Sequence, residues 1–236
     1  MAPLNLRDRD AIVTREGLIF RVFGYSHPPN AYICDTEYAS AKIFTSTDPR
    51  APRTGGNQLF YKFYNDEGLK LVFAHFPQYT VFHEMLDQKM VGVNQADVAE
   101  ARKPSERLQA LVETDPKDEL VDAMQRVLET VLQGSGLSAK NFGVFGSMLH
   151  GFHHPKFSDI DLIVYGKKEN TKVRETLEAL YADRHSGFRK EFGTDEATQG
   201  KRWRFKNYSV KEFVWHQKRK QIYGLFDDSE SGRIIK

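Results

Sequence analysis

Between Gly143 and Gly166 the chain holds residues whose types and spacing suit chemistry on a phosphate group. An apolar strand, predicted over Phe142 to Phe145, delivers Gly146-Ser147 to a turn into a short helix. A residue without Cβ there lets the backbone approach an anion, the helix start offers unpaired N–H groups, and Ser147 adds a hydroxyl donor. A triphosphate is the natural guest. After eleven intervening residues, a strand predicted from Asp159 to Tyr165 carries Asp159 and Asp161 two positions apart, so both carboxylates take one face while Ile160, Leu162 and Val164 take the other. Two like charges side by side repel unless a cation lies between them. Hard oxygen donors in this arrangement favour Mg²⁺ or Mn²⁺. Two such ions, roughly 3.5–4 Å apart, would activate an attacking oxygen and stabilise a leaving pyrophosphate. Lys156 lies in the joining loop, where its ammonium is a candidate for the incoming phosphates, and Ser158 orients the turn before the first acid.

Gly146-Ser147, the spacer Met148 to Ser158, and Asp159-Ile-Asp161 followed by apolar Leu162-Ile-Val164 resemble the signature of the DNA polymerase beta-like nucleotidyltransferase superfamily. The resemblance covers about 25 residues strictly. It implies a mixed sheet with flanking helices, two magnesium ions, and transfer of a nucleoside monophosphate from a nucleoside triphosphate to an acceptor. Gly146 and Ser147 would hold the phosphates, and Asp159 and Asp161 the metal. With a β-rich unit ahead of this domain, the chain also resembles archaeal predicted nucleotidyltransferases of unknown substrate. Catalytic members of the superfamily carry a third carboxylate on a later, neighbouring strand. Glu191 follows a possible short strand, and Asp227, Asp228 and Glu230 read as turn residues, so that group is expected beyond Lys236. The rival reading is a nucleotide- or RNA-binding regulator that keeps the phosphate turn and lacks the third acid.

Other polar clusters carry less. His150, His153 and His154 have helix-face spacing for a metal, but Pro155 turns the stretch into a loop, which argues against zinc. Residues 201–220 hold eight Lys or Arg, among them Lys201, Arg202, Arg204, Lys218, Arg219 and Lys220, against only Glu212. Trp203, Phe205, Tyr208, Phe213 and Trp215 are interleaved. That pattern fits either a solvated amphipathic helix or a surface for an RNA acceptor or the nucleotide.

The elements that must position these groups follow from periodicity. Ala11 to Thr14, the turn Arg15-Glu-Gly17 and Leu18 to Phe23 predict a hairpin, with further strands at Tyr32–Cys34 and Leu59–Tyr64 and an exposed loop from Thr45 to Asn57. Pro77 to Pro104 reads as turns and short helices, and Pro104 marks a boundary. Beyond it come a helix from Ser105 and a longer one opened by Asp115-Pro-Lys-Asp118, with apolar residues at three- and four-residue spacing from Leu120 to Leu132 and Gly134 as terminator. Helices over Thr171–Asp183 and Ser209–Tyr223 complete the order. The expected fold is α+β: a β-rich accessory domain over 1–104, then a polymerase beta-like domain over 105–236.

Composition is compatible. The 236 residues include 34 Lys plus Arg against 32 Asp plus Glu, 40% are hydrophobic, and Cys34 is the single cysteine. These values exclude a disordered, collagen-like or disulfide-stapled chain. No run reaches the roughly 18 residues that span a bilayer, and the N-terminus lacks a signal-peptide core, so the expected compartment is the cytoplasm.

Overall fold

A computed structural model describes residues 4–191, 207, 209–228 and 233–235. They fall into two compact units: Met1–Arg107 with Phe145–His153, and Leu108–Val144 with His154–Lys236.

The first unit is built on an antiparallel sheet. Its strands are β1 (Ala11–Val13), β2 (Leu18–Val22), β3 (Ala31–Ser40), β4 (Pro52–Gly55), β5 (Gln58–Lys62), β6 (Thr80–His83), β7 (Gln88–Asn94) and β8 (Glu100–Arg102), with helix α1 (Glu67–His75) after β5. The order is β4-β5-β3-β2-β1-β8, and β7 extends the first part of β3 and pairs with β6. The predicted hairpin forms from β1 and β2, with Val13 opposite Ile19, closing through Gly17 at φ +90°. Ile12, Leu18, Phe20 and Val22 point to one buried cluster with Tyr32, Val72 and Val93. Ala11 and Ile19, at alternate positions, point to a second cluster with Tyr38, Phe60, Leu149 and Phe152. Both sheet faces are therefore covered, and the second face is covered partly by residues 145–153.

Two stretches differ from expectation. The predicted loop Thr45–Asn57 contains β4, which pairs with β5 from Pro52↔Tyr61 to Gly55↔Gln58; polar, turn-rich composition hid an edge strand. Pro77–Pro104 forms β6, β7 and β8 as well as single helical turns. The β6–β7 hairpin reverses near Asp87, held at φ +47°, a left-handed turn residue that does not announce itself as glycine would.

Helix α2 (Pro104–Val112) leads into the second unit, which contains α3 (Glu119–Ser135), β9 (Phe142–Val144), β10 (Leu162–Val164), α5 (Lys167–Ala182), β11 (Phe188–Lys190), α6 (Val210–Arg219), β12 (Gly224–Asp228) and β13 (Arg233–Ile235); α4 (Gly146–His150) belongs to the first. Helix α3 starts where the Asp118 carboxylate accepts from the N–H groups of Leu120 (3.0 Å) and Val121 (3.1 Å), so Pro116 lies ahead of the helix. It stops at Gly136, φ +64°, not at Gly134, whose role is close approach: a Cβ there would meet Thr176 Cγ2 of α5 at 2.5 Å. Helix α5 begins at Lys167, four residues before the expected start, and α6 ends at Arg219 instead of Tyr223. Strands β9 and β10 pair antiparallel, Val144 opposite Leu162, and β11, β12 and β13 form a second antiparallel sheet. The architecture is α+β.

Candidate functional site

Gly146 occupies the left-handed region at φ +63°, a conformation costing roughly 1–2 kcal/mol for other residues. The Gly-Ser turn is thus a place where the sequence needs glycine. It opens α4, only five residues long, and an isolated helix of this length does not persist. What holds it lies in the first unit. Leu149 and Phe152 are buried against Tyr38 and Phe60, with the Phe152 ring 4.9 Å from that of Phe60 and 5.3 Å from that of Tyr38. Arg107 Nε donates to the Met148 carbonyl at 3.1 Å, and Phe152 N–H donates to the Ser147 carbonyl at 2.8 Å across Gly151.

The His150 side chain is fully enclosed, 0% exposed. Its Nδ1 lies 3.2 Å from Arg102 Nη1 and its Nε2 3.4 Å from Glu37 Oε2. A guanidinium only donates, so Nδ1 accepts; the ring proton is on Nε2 and points at Glu37. Burial alone would raise the pKa of Glu37, but the hydrogen bond from His150 and the positive charges of Arg21 and Lys62 outweigh it and hold the carboxyl below the usual range. Arg21 Nη1 is 3.5 Å from Glu37 Oε1, and Arg102 makes a two-point pair with Glu100 at 2.8 and 3.1 Å. Sequence reasoning weighed His150 only as a metal ligand. Its partner Glu37 lies 113 positions away, and no local signal joins the two.

In the second unit, Asp159 and Asp161 precede the strand predicted to carry them: β10 begins at Leu162. The alternation nevertheless runs back through the motif. Ile160, Leu162 and Val164 all line one apolar cavity of about 250 Å³ with Val127, Val131 and Phe142, so Asp159 and Asp161 take the alternate positions. Asp159 is exposed and Asp161 half-buried. Because Val144 faces Leu162, the chain leaves β9 at the same end of the ladder at which it enters β10.

The intervening loop is a tight turn. Ser158 Oγ accepts from His154 N–H at 2.9 Å, Ser158 N–H donates to the His154 carbonyl at 3.0 Å, and Lys156 N–H donates to His154 Nδ1 at 3.1 Å. Lys156 itself is exposed.

Asp227 and Asp228 are in β12, not in a turn: β11 pairs with Gly224–Phe226 and β13 with Phe226–Asp228. Asp227 lies 3.9 Å from Arg189 Nη2 and lines a cleft with Arg126, Arg184 and Gly187, whose walls include neither Asp159 nor Asp161. Glu191 follows β11, its N–H donating to the Tyr223 carbonyl at 3.4 Å; Glu230 is outside the described residues. Among the described residues no group of three or more His, Cys, Asp or Glu is placed to hold a metal ion.

Of the basic segment, Lys201, Arg202 and Arg204 lie outside the described residues. Lys218, Arg219 and Lys220 are exposed at the end of α6. Trp215, 54% exposed, carries the Arg219 guanidinium 4.5 Å above its ring, while Val214 is buried. The helix therefore anchors through valine and presents tryptophan and cations outward. Cys34 is buried and its thiol is pushed upward by burial, which removes it from redox or nucleophilic chemistry. No helix among the described residues is long and apolar enough to cross a membrane.

Comparison with known proteins agrees with the motif. Residues 124–218 match the nucleotidyltransferase domain family. The uncharacterized protein MJ1086 of the archaeon Methanocaldococcus jannaschii is 28% identical over 230 residues, covering 96% of this chain and 66% of its own length. The chain thus spans just under two thirds of that relative. No solved structure gives a significant match.

Proposed function

Starting from a chain whose residues 124–218 match the nucleotidyltransferase domain family, we propose that it transfers a nucleoside monophosphate from a nucleoside triphosphate to an acceptor. An acceptor oxygen bonds to the α-phosphorus, the bond from that phosphorus to its bridging oxygen breaks, and the electron pair leaves with pyrophosphate. The acceptor's proton passes to solvent or to a carboxylate. The single observation that carries this reading is the placing of Asp159 and Asp161 at alternate positions ahead of β10, whose partner β9 leads within two residues to Gly146.

Asp159 and Asp161 offer oxygen donors only, a set that fits Mg²⁺ or Mn²⁺. Such ions, two in the full proposal, supply charge neutralisation at the phosphates when bound. The chain's own residues do the rest. Gly146, without Cβ and at φ +63°, leaves room for a phosphate against the backbone. Ser147 donates its hydroxyl to a phosphate oxygen. The Ser158 hydroxyl accepts from His154 and keeps its own proton to donate. Lys156 brings a mobile positive charge to the departing phosphates. Catalysis of this kind is chiefly positioning and electrostatics. The exposed Trp215 with Lys218, Arg219 and Lys220 supports an RNA acceptor, bound by stacking and phosphate contacts.

Incubation with α-labelled ATP or CTP, Mg²⁺ and mixed RNA or protein acceptors tests the reaction. Wild type is expected to incorporate label, and Asp159→Ala/Asp161→Ala to lose it together with metal-dependent nucleotide affinity. Unchanged affinity in the double variant would sink the assignment. A second reading, a nucleotide- or RNA-binding regulator, is favoured by the lack of a three-carboxylate group among the described residues. Metal-dependent binding without incorporation would select it.

A further inference from the structure

We propose that Glu37 and Arg102 act through His150 as positioning residues for the Gly146-Ser147 turn, so that the β-rich first unit completes the phosphate-binding element instead of acting as a separate accessory. The inference deepens the reading above and rests on it for the identity of the ligand.

The argument begins with length. Five residues cannot hold a helix by their own hydrogen bonds, so the geometry of the turn that opens α4 is inherited from whatever holds the rest of it. Its last residue, His150, contributes a side chain with no exposed surface and with both ring nitrogens engaged, one by strand β8 through Arg102 at 3.2 Å and one by strand β3 through Glu37 at 3.4 Å. These partners fix the tautomer and the ring plane together, because exchanging donor and acceptor would aim an N–H at a guanidinium and a lone pair at a carboxylate. Tyr38 closes the remaining side, its ring edge-on to the imidazole at 5.2 Å.

The network is costly to break. Removing Glu37 leaves a buried N–H without an acceptor and takes away the negative charge beside Arg21. A helix of one turn responds by shifting or fraying, and the displacement reaches Ser147 within three residues. Apolar contacts of Leu149 and Phe152 keep the segment on the sheet. The expected defect is therefore loss of the turn's alignment, not loss of the fold.

The full-length protein is compared as wild type, Glu37→Ala, His150→Ala, the double variant, and His150→Gln, whose amide can accept from Arg102 and donate to Glu37. Titration calorimetry with MgATP is expected to give about tenfold weaker binding for either alanine variant, and the double variant no weaker than the singles, since each removes the same hydrogen bond. His150→Gln is expected to recover most of the affinity. Wild-type affinity in a folded Glu37→Ala, or full additivity in the double variant, overturns the proposal.

Hydrogen exchange supplies a readout that needs no nucleotide. Amides of residues 146–152 are expected to exchange faster in Glu37→Ala while those of β9 and β10 are unchanged. If wild type fails to bind MgATP, the function reading falls while faster exchange still upholds the latch; unchanged exchange overturns the latch whatever the nucleotide result. Should Glu37→Ala not fold, Glu37→Met, which removes the acceptor and fills the same space, is read the same way.

Discussion

Gly55, at the end of β4, lies directly beneath the ring of Phe152, so that a Cβ on Gly55 would overlap the ring edge. The ring also packs, tilted, against Phe60, 4.9 Å between centroids, which restricts its retreat. Gly55→Ala is expected to destabilise the protein by about 1–3 kcal/mol through overpacking, lowering Tm by about 2–4 °C per kcal/mol. Thermal unfolding measures it, and an unchanged Tm would contradict the close approach.

Gly134 gives a prediction whose sign separates two principles. Inside an exposed helix, Gly→Ala gains about 1 kcal/mol. Here the new methyl meets Thr176 Cγ2 at 2.5 Å, so Gly134→Ala is expected to lower the denaturation midpoint. Thr176→Ser deletes that carbon and keeps the hydroxyl, which donates to the Lys172 carbonyl at 2.9 Å. The double variant is therefore expected to recover the loss. A stabilised Gly134→Ala would show that the helices yield.

Glu37 sets a dependence on acid. Its folded pKa is held below the ordinary value, despite burial, by the hydrogen bond of His150 and the charges of Arg21 and Lys62. The unfolded chain therefore takes up the proton first as pH falls, and the stabilisation is present above the unfolded value and lost through the folded one. Against Glu37→Gln, the wild-type advantage in denaturant midpoint is expected to be full above about pH 5 and to shrink as pH falls through and below the ordinary carboxylate range. A gap constant from about pH 7 to about pH 3 would show that folding leaves the Glu37 pKa unshifted.

The outer end of α6 predicts a salt dependence. Replacing Lys218, Arg219 and Lys220 by Ala is expected to reduce the slope of log K against log salt for single-stranded RNA by about 2, at roughly 0.7 per cation removed. Fluorescence anisotropy from 50 to 200 mM salt, roughly the range over which such contacts weaken, measures it. Trp215→Ala is expected to weaken binding at every salt concentration without changing the slope, because stacking releases no counter-ions. RNA affinity indifferent to both variants would place any acceptor elsewhere.

How much was legible in the sequence differs by element. The β1–β2 hairpin was readable because alternation and a turn glycine coincide within twelve residues, from Ala11 to Val22. Helix α3 was readable because its apolar period persists from Leu120 to Leu132 within a helix of 17 residues, although its boundaries moved to Asp118 and Gly136, where side-chain capping and a left-handed φ decide. Strand β4 was not readable. Pro52-Arg-Thr-Gly55 has no strand-like composition, and its pairing is supplied by β5. Asp227 and Asp228 looked like turn residues for the same reason: their strand exists through partners on both sides.

For the candidate site, the sequence by itself determined the chemistry on offer: a glycine where a left-handed φ is needed, a serine beside it, and two aspartates alternating with core-facing Ile160 and Leu162. Such patterns are local, fixed by backbone geometry over a few bonds. Only the tertiary structure decided what holds the turn in place, because Glu37, Arg102 and His150 are brought together by the packing of a sheet and carry no mark of one another in the chain. A five-residue helix draws its stability from distant partners, and distant partners are what a linear pattern cannot express.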